Sequence, residues 1–310
     1  MFSVMSLQDR VGQRVWCVAS PRARAAAWMA IITMGAASGC IKSPQTVFQR
    51  LTDARRLTAD LLVQFIRAGD AANRAVMSET DEASVAFARE AEQATEAVQA
   101  DADALRPLLL DLEYSNEARL LEDFGGRFAE YRTLDRSIVA LAVENTNLKA
   151  QRLSFGPAQD AANAFRDALV PVAPPDPAKD GWRVKALVAT AVTSVREIQV
   201  LQAPHIAESD EAAMTRMEKQ MAASEAAARR TLETLSVVRP ESRPHLTAAT
   251  AALDRFAGLN TQIVALSRRN SNVRSLALSL GQKRNLTAAC EDSLRALQDA
   301  LSQRGFTGTR

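Results

Sequence analysis

The 310-residue sequence predicts an all-α fold, arranged as two tandem antiparallel four-helix bundles, and three observations predict it. Glycine contributes only 12 residues and aromatics 5%, while Ala, Leu, Arg and Glu are abundant, which favours long helices over sheets and tight turns. Apolar residues recur at three- and four-residue spacing, the period of a helix face. The phrase NTNLKAQRLSFG, residues 145–156, returns 125 residues later as NSNVRSLALSLG, residues 270–281. One helical unit is therefore written twice.

The first element is an address. Arg22 and Arg24 precede an apolar run of 13 residues, 25–37. At helical rise that run spans ~20 Å, short of the ~30 Å bilayer core, so it reads as a signal-peptide core. It ends in Ala37-Ser38-Gly39-Cys40. Small residues ahead of a Cys resemble the lipobox of bacterial lipoproteins, with Ala37 standing where that family usually carries Leu. The resemblance implies that residues 1–39 are a signal peptide and that Cys40 is acylated with diacylglycerol and becomes the new N-terminus. An ordinary secretory signal or a signal anchor is the alternative. Residues 1–20 are long for a leader, as if the true start lay downstream. Ile41 replaces the Asp that favours inner-membrane retention in enteric bacteria. The expected location is thus the periplasmic side of the envelope, lipid-anchored, on the outer membrane rather than the inner.

The first bundle is expected over residues 40–170. Pro44 precedes an amphipathic run carrying Leu57, Leu61, Leu62, Phe65 and Ile66. Thr80 is placed to N-cap a second helix with Asp81 and Glu82 in its first turn. That helix continues to about Glu113, with Pro107 expected to kink it or end it early. Ser115-Asn116 opens a third helix whose Phe124, Phe128, Tyr131, Leu134, Ile138 and Leu141 form a packing seam. Asn145 is expected to terminate it and Asn147 to cap the fourth helix, which runs to about Leu169. Ser154 and Gly156 would let two helices approach closely, and Gly156-Pro157 should bend the fourth helix.

PVAPPDPAKDG, residues 171–181, reads as a linker between copies, and 305–310 as a tail. The second bundle covers 182–304, with Asn270, Asn272, Ser279 and Gly281 in the places of Asn145, Asn147, Ser154 and Gly156. Ile138–Leu141 returns identically as Ile263–Leu266, and Glu79–Ala83 matches Glu208–Ala212 at an offset of 129. The length difference belongs in the turn near residues 110–118 and its counterpart at 239–244.

The order of an Asp-Glu turn, an Ile-Val-Ala-Leu seam and an N-x-N-x-[KR]-x(4)-S-x-G entry to the fourth helix resembles the ligand-sensing bundle of methyl-accepting chemotaxis receptors. The resemblance implies periplasmic sensing of small molecules through shifts between helices, usually in dimers. No apolar run after residue 40 approaches 18 residues, so any signal would pass through a partner. The motif identifies no ligand-binding residue.

With 38 basic and 36 acidic residues, nothing argues for nucleic acid. No nucleophile elbow or Gly-rich phosphate loop occurs, so no catalytic residue and no cofactor is expected. His205 and His245 fall on successive turns and point to no shared metal. Cys290 reads as a small buried hydrophobe, and Arg229-Arg230 and Arg268-Arg269 as solvated faces. The expected function is a non-enzymatic lipoprotein that binds a small molecule or relays it to a partner. A structural spacer or assembly factor of the envelope is the alternative. Expected partners are the membrane through the anchor, a small-molecule ligand, and an envelope protein or a second copy of the chain.

Overall fold

The computed structural model describes residues 44–173 and 181–305. The leader, Cys40, residues 174–180 and the tail from 306 lie outside them. Among the described residues there is no strand, and the helices belong to one compact unit, Ser43–Arg310. No described helix is long and apolar enough to cross a membrane.

The chain opens with α1 (Pro44–Val76), α2 (Asp81–Asp111) and α3 (Ser115–Glu144). Thr80 caps α2 by accepting the Ala83 N–H at 3.1 Å. Pro107 does not end α2; it lies on the exposed face of the helix. The buried faces of α1 and α2 are rich in alanine, including Ala68, Ala72, Ala75, Ala91 and Ala94, which lets these helices pack closely. Against them α3 sets Phe124, Phe128 and Tyr131 around Phe65, with ring centroids 4.9–6.2 Å from it. Such aromatic pairs add roughly 0.5–1.5 kcal/mol each beyond their buried area.

Two short helices, α4 (Thr146–Leu153) and α5 (Gln159–Leu169), are joined through a π-helical turn, Ser154–Ala158, into one rod. The second unit follows as α6 (Gly181–Ala207), α7 (Glu211–Val238) and α8 (Arg243–Arg269). Its closing rod is α9 (Ser271–Leu278), a π-helical turn Ser279–Lys283, and α10 (Arg284–Gln303). Pro204 lies inside α6.

The bundles are not the contiguous segments 40–170 and 182–304. The rod 146–169 packs on α6 and α8 of the second unit, and the rod 271–303 packs on α1 and α3 of the first. Phe165 and Leu169 share a core with Val195, Ile198 and Phe256, while Cys290, Leu294, Leu297 and Leu301 share one with Phe65 and Phe124. The two units thus exchange their fourth helices. The cause is the length of the connection. Asn145 and Asn270 are single left-handed residues (φ 49° and 53°) between helices, and an antiparallel reversal needs a loop of about two to five residues. A one-residue link turns the chain without reversing it, so each fourth helix runs on into the neighbouring core.

Two smaller expectations also change. Gly156 and Gly281 meet nothing within 4 Å of a built Cβ, so neither serves a close helix approach. The π-helical turn also occurs in both copies, not only where Pro157 stands. Pro157 gives a reason for the first, since widening the turn relieves its ring from the carbonyl four residues back; nothing local explains the second. The length difference sits in the turn as expected. Buried positions of α1 and α2 recur in α6 and α7 at an offset of 130, one more than the Glu79–Glu208 match.

Candidate functional site

The duplicated phrase places its residues at the crossing of the two rods, in a near-twofold arrangement. Thr146 N donates to Ser271 Oγ and Ser271 N to Thr146 Oγ1, both at 3.0 Å. Asn147 N donates to Asn272 Oδ1 and Asn272 N to Asn147 Oδ1, both at 3.2 Å. The side-chain amides reach across to the left-handed residues, Asn147 to Asn270 Oδ1 at 2.7 Å and Asn272 to Asn145 Oδ1 at 2.8 Å. Asn147 and Asn272 therefore cap the opposite rod rather than their own. Helix N-termini leave their first N–H groups unpaired, and here each rod supplies the other's acceptors. Outside the crossing, Arg269 pairs with Glu144, holding that carboxyl below its usual range.

Ser154 and Ser279 lie about two turns further along the rods; Ser154 is buried, whereas Ser279 is half-buried and donates to Asn73 Oδ1 at 3.0 Å. In the second core Ser154 Oγ donates to Gln202 Oε1 at 2.7 Å, and Gln202 donates to Asn260 at 2.9 Å, a neutral buried layer with its groups satisfied. Near the crossing, fully buried His205 touches Ser267 Oγ (2.8 Å) and Glu218 Oε1 (2.9 Å). Arg268, expected as a solvated face, grips the same Glu218 through two nitrogens; its guanidinium and His205 hold that carboxyl below its usual range. His245 is exposed, and no group of three metal-ligating side chains occurs among the described residues.

The first core differs at the matching level. Asp135 takes the place of Asn260, and Lys283 that of Ala158. Lys283 Nζ and Asp135 Oδ1 stand 2.6 Å apart, both nearly sealed from solvent. Apart from this ion pair, neither atom has a polar partner. Burial pushes the Asp135 carboxyl up, and Lys283 draws it partly back. Tyr131, whose hydroxyl also has no partner, lies with its ring 5.6 Å from Lys283 Nζ.

A groove of about 590 Å³ opens above this pair between α1 and the rod 271–303. Phe65, Val76, Leu276 and Leu280 give it apolar walls, and Gly69 and Lys283 lie at its floor. Ile66, Met77 and Leu280 on its rim are each more than half exposed. On the opposite face, between α2 and α3, a smaller pocket of about 270 Å³ is lined by Arg132, Asp135 and Arg136. The ion pair thus spans the core from one cavity to the other.

Matching positions in the second core are bridged instead of open. Arg196 donates to Gln199 (2.8 Å) and Asn163 (3.2 Å), Gln199 to Gln159 (2.9 Å), and Gln159 to Asn163 (3.2 Å). Their counterparts in the first core are Ile66, Gly69, Arg284 and Ala288, which cannot make that ring and which all line the groove. Sequence reasoning singled out none of Gly69, Tyr131, Asp135 and Lys283 as site residues. The signal lies in the differences between the copies, Ile66, Gly69, Arg284 and Ala288 against Arg196, Gln199, Gln159 and Asn163, and not in their identities. No protein-family model and no curated protein matches this chain.

Proposed function

We propose that the protein is a non-enzymatic binding module, held at the periplasmic face of the envelope by a lipid on Cys40, in which the first core takes a small molecule and the second is a closed scaffold. One observation carries the reading: the same unit occurs twice, and the interhelical groove is open in one copy and bridged by Arg196, Gln199, Gln159 and Asn163 in the other. An apolar concavity with a few convergent polar groups is the ordinary form of a ligand site. The resemblance to chemoreceptor sensing bundles supports a sensing role, in which the occupied groove shifts the rod 271–303 and so the crossing. A partner protein then reads that shift.

The test transplants the closed copy onto the open one. Ile66→Arg, Gly69→Gln, Arg284→Gln and Ala288→Asn together should fold with the groove bridged. Compounds that raise the melting temperature of the parent in a thermal-shift screen should leave this variant unmoved. Equal shifts in both proteins would place binding elsewhere. No shift with any compound, together with envelope proteins recovered by crosslinking, would favour the spacer reading. Labelled palmitate should be incorporated by the parent and lost in Cys40→Ala.

A further inference from the structure

On the face opposite the groove, the pocket between α2 and α3 has a chemistry of its own and does not depend on the groove. We infer that it is a second site, which takes a compact organic monoanion, a carboxylate on a small apolar body, with Arg132 as its counter-ion.

The two copies differ here in a consistent way. In the register of 130 that relates α2 to α7, Ala88 and Ala91 stand where the second unit has Glu218 and Met221. There Glu218 is taken up by Arg268 and His205, and the Met221 sulfur lies 3.7 Å from Asn260 Nδ2, so a long side chain covers the polar layer. In the first unit the two alanines leave a cavity of about 270 Å³, lined by Asp135, the counterpart of Asn260. Along α3, Arg132 and Arg136 replace Ala257 and Thr261, one helical turn apart on the same face. Small residues and arginines thus occur together in the first copy, and neither occurs at these positions in the second.

The charges leave one cation over. Arg89, Arg132 and Arg136 line the pocket together with Glu92, Glu96 and Asp135. Asp135 is already held by Lys283 at 2.6 Å. Arg89, Arg136, Glu92 and Glu96 are exposed, two of each sign, and balance one another at the rim. Arg132 is half-buried and has no such balance. None of the three arginines makes an ion pair or a hydrogen bond among the described residues, whereas Arg229 and Arg268 of the second unit are both paired. The Nε of Arg132 is sealed from water without an acceptor, a cost borne by the unliganded protein. A carboxylate accepts two parallel N–H bonds from a guanidinium. One such group supplies both the missing counter-ion and the missing acceptor. A dianion would bring one charge too many, and an ammonium would add to the excess.

The rest of the lining is apolar: Val85, Ala88, Ala91, Val139 and Ala140. Thr95 adds no free donor, since its hydroxyl is spent on Ala91 O at 2.7 Å. A ring or a short branched chain behind the carboxylate suits walls of this kind.

Calorimetry on the full chain tests the inference with two matched sets: benzoate, benzyl alcohol and benzylammonium, and 4-methylpentanoate with its alcohol and amine. In at least one set the acid should bind roughly tenfold or more tightly than its neutral and cationic partners. Phthalate should bind no better than benzoate. Arg132→Ala installs the residue of the second unit and should remove the preference for the acid while leaving the alcohol unchanged. Its melting temperature should be unchanged or higher, because the side chain has no partner to lose. Ala91→Met, again the residue of the second unit, should exclude acid and alcohol alike. Acids no tighter than their alcohols in both sets, absence of any binding, or acid affinity indifferent to Arg132→Ala or to Ala91→Met would each overturn the inference. A fall of several degrees in Arg132→Ala would do so too, by showing that the arginine serves the fold. The variant with the bridged groove should bind the acid as the parent does; loss of binding there would move the acid to the groove. Failure of the acid series leaves the groove reading to stand or fall on that variant alone.

Discussion

Glu113 turns the chain between α2 and α3 with a φ of 60°, a left-handed backbone that costs a side-chain-bearing residue about 1–2 kcal/mol. Its neighbour Tyr114 donates back to Leu109 O at 3.0 Å, the pattern in which helices usually end on glycine. Glu113→Gly should therefore stabilise the protein by about 1 kcal/mol, read as a rise in melting temperature. Glu117, two residues into the next helix, is 2% exposed and receives Arg304 through both carboxylate oxygens, at 2.7 and 2.9 Å. Those hydrogen bonds hold its carboxyl below the usual range. A depressed carboxyl contributes stability above its unfolded pKa, and that stability is lost as pH falls through the folded value. Arg304→Met should cost about 1–3 kcal/mol at neutral pH by leaving Glu117 buried and unpaired. Denaturant titrations of the two proteins should converge as the pH drops well below 4.5. Cys290, fully buried among Leu294 and Leu297, has its thiol pushed up to about 12 by burial, in keeping with a residue that packs and does not react.

Among the elements, the two rods carry the most information. Asn147 serves its neighbours with four hydrogen bonds: its side chain donates to Asn270 and to Ile206 O, its N–H to Asn272, and its oxygen receives Asn272 N. Asn272 makes the equivalent set without the carbonyl contact. Asn147→Ala should cost about 2–3 kcal/mol and Asn272→Ala about 1–2. The double variant should fall short of the sum, because the two share bonds. Urea titrations of the three proteins check both statements. Helix positions, the Thr80 cap and the Asn145 and Asn270 stops were legible in the sequence, because apolar period, capping residues and turn residues are local signals. The exchange was not. It depends on what a single left-handed residue can do to chain direction, and apolar faces alone do not name the helix they will meet. The groove escaped for a related reason: the Glu79–Glu208 match sets the register one residue short, which sets Gly69 against Ile198 instead of Gln199.

For the molecule as a whole, each hydrophobic core is completed by a helix from the other unit. Unfolding either core withdraws a helix from its neighbour, so the two cannot melt as independent domains. Scanning calorimetry should show one transition with equal calorimetric and van't Hoff enthalpies, where two separate bundles would give two. The two cores also differ in their polar layers. The second core is tied by Gln202–Asn260 and His205–Glu218–Arg268, while the first holds the Lys283–Asp135 ion pair and the unpartnered Tyr131 hydroxyl.

The exchange also governs what a truncated gene would encode. A stop codon just after residue 170 yields three helices of one core and the orphaned fourth helix of another, with Phe165 and Leu169 stripped of the side chains that bury them. Neither half of the reading frame specifies a finished object. A single copy would bury its fourth helix only by trading it with a second chain, as swapped dimers do.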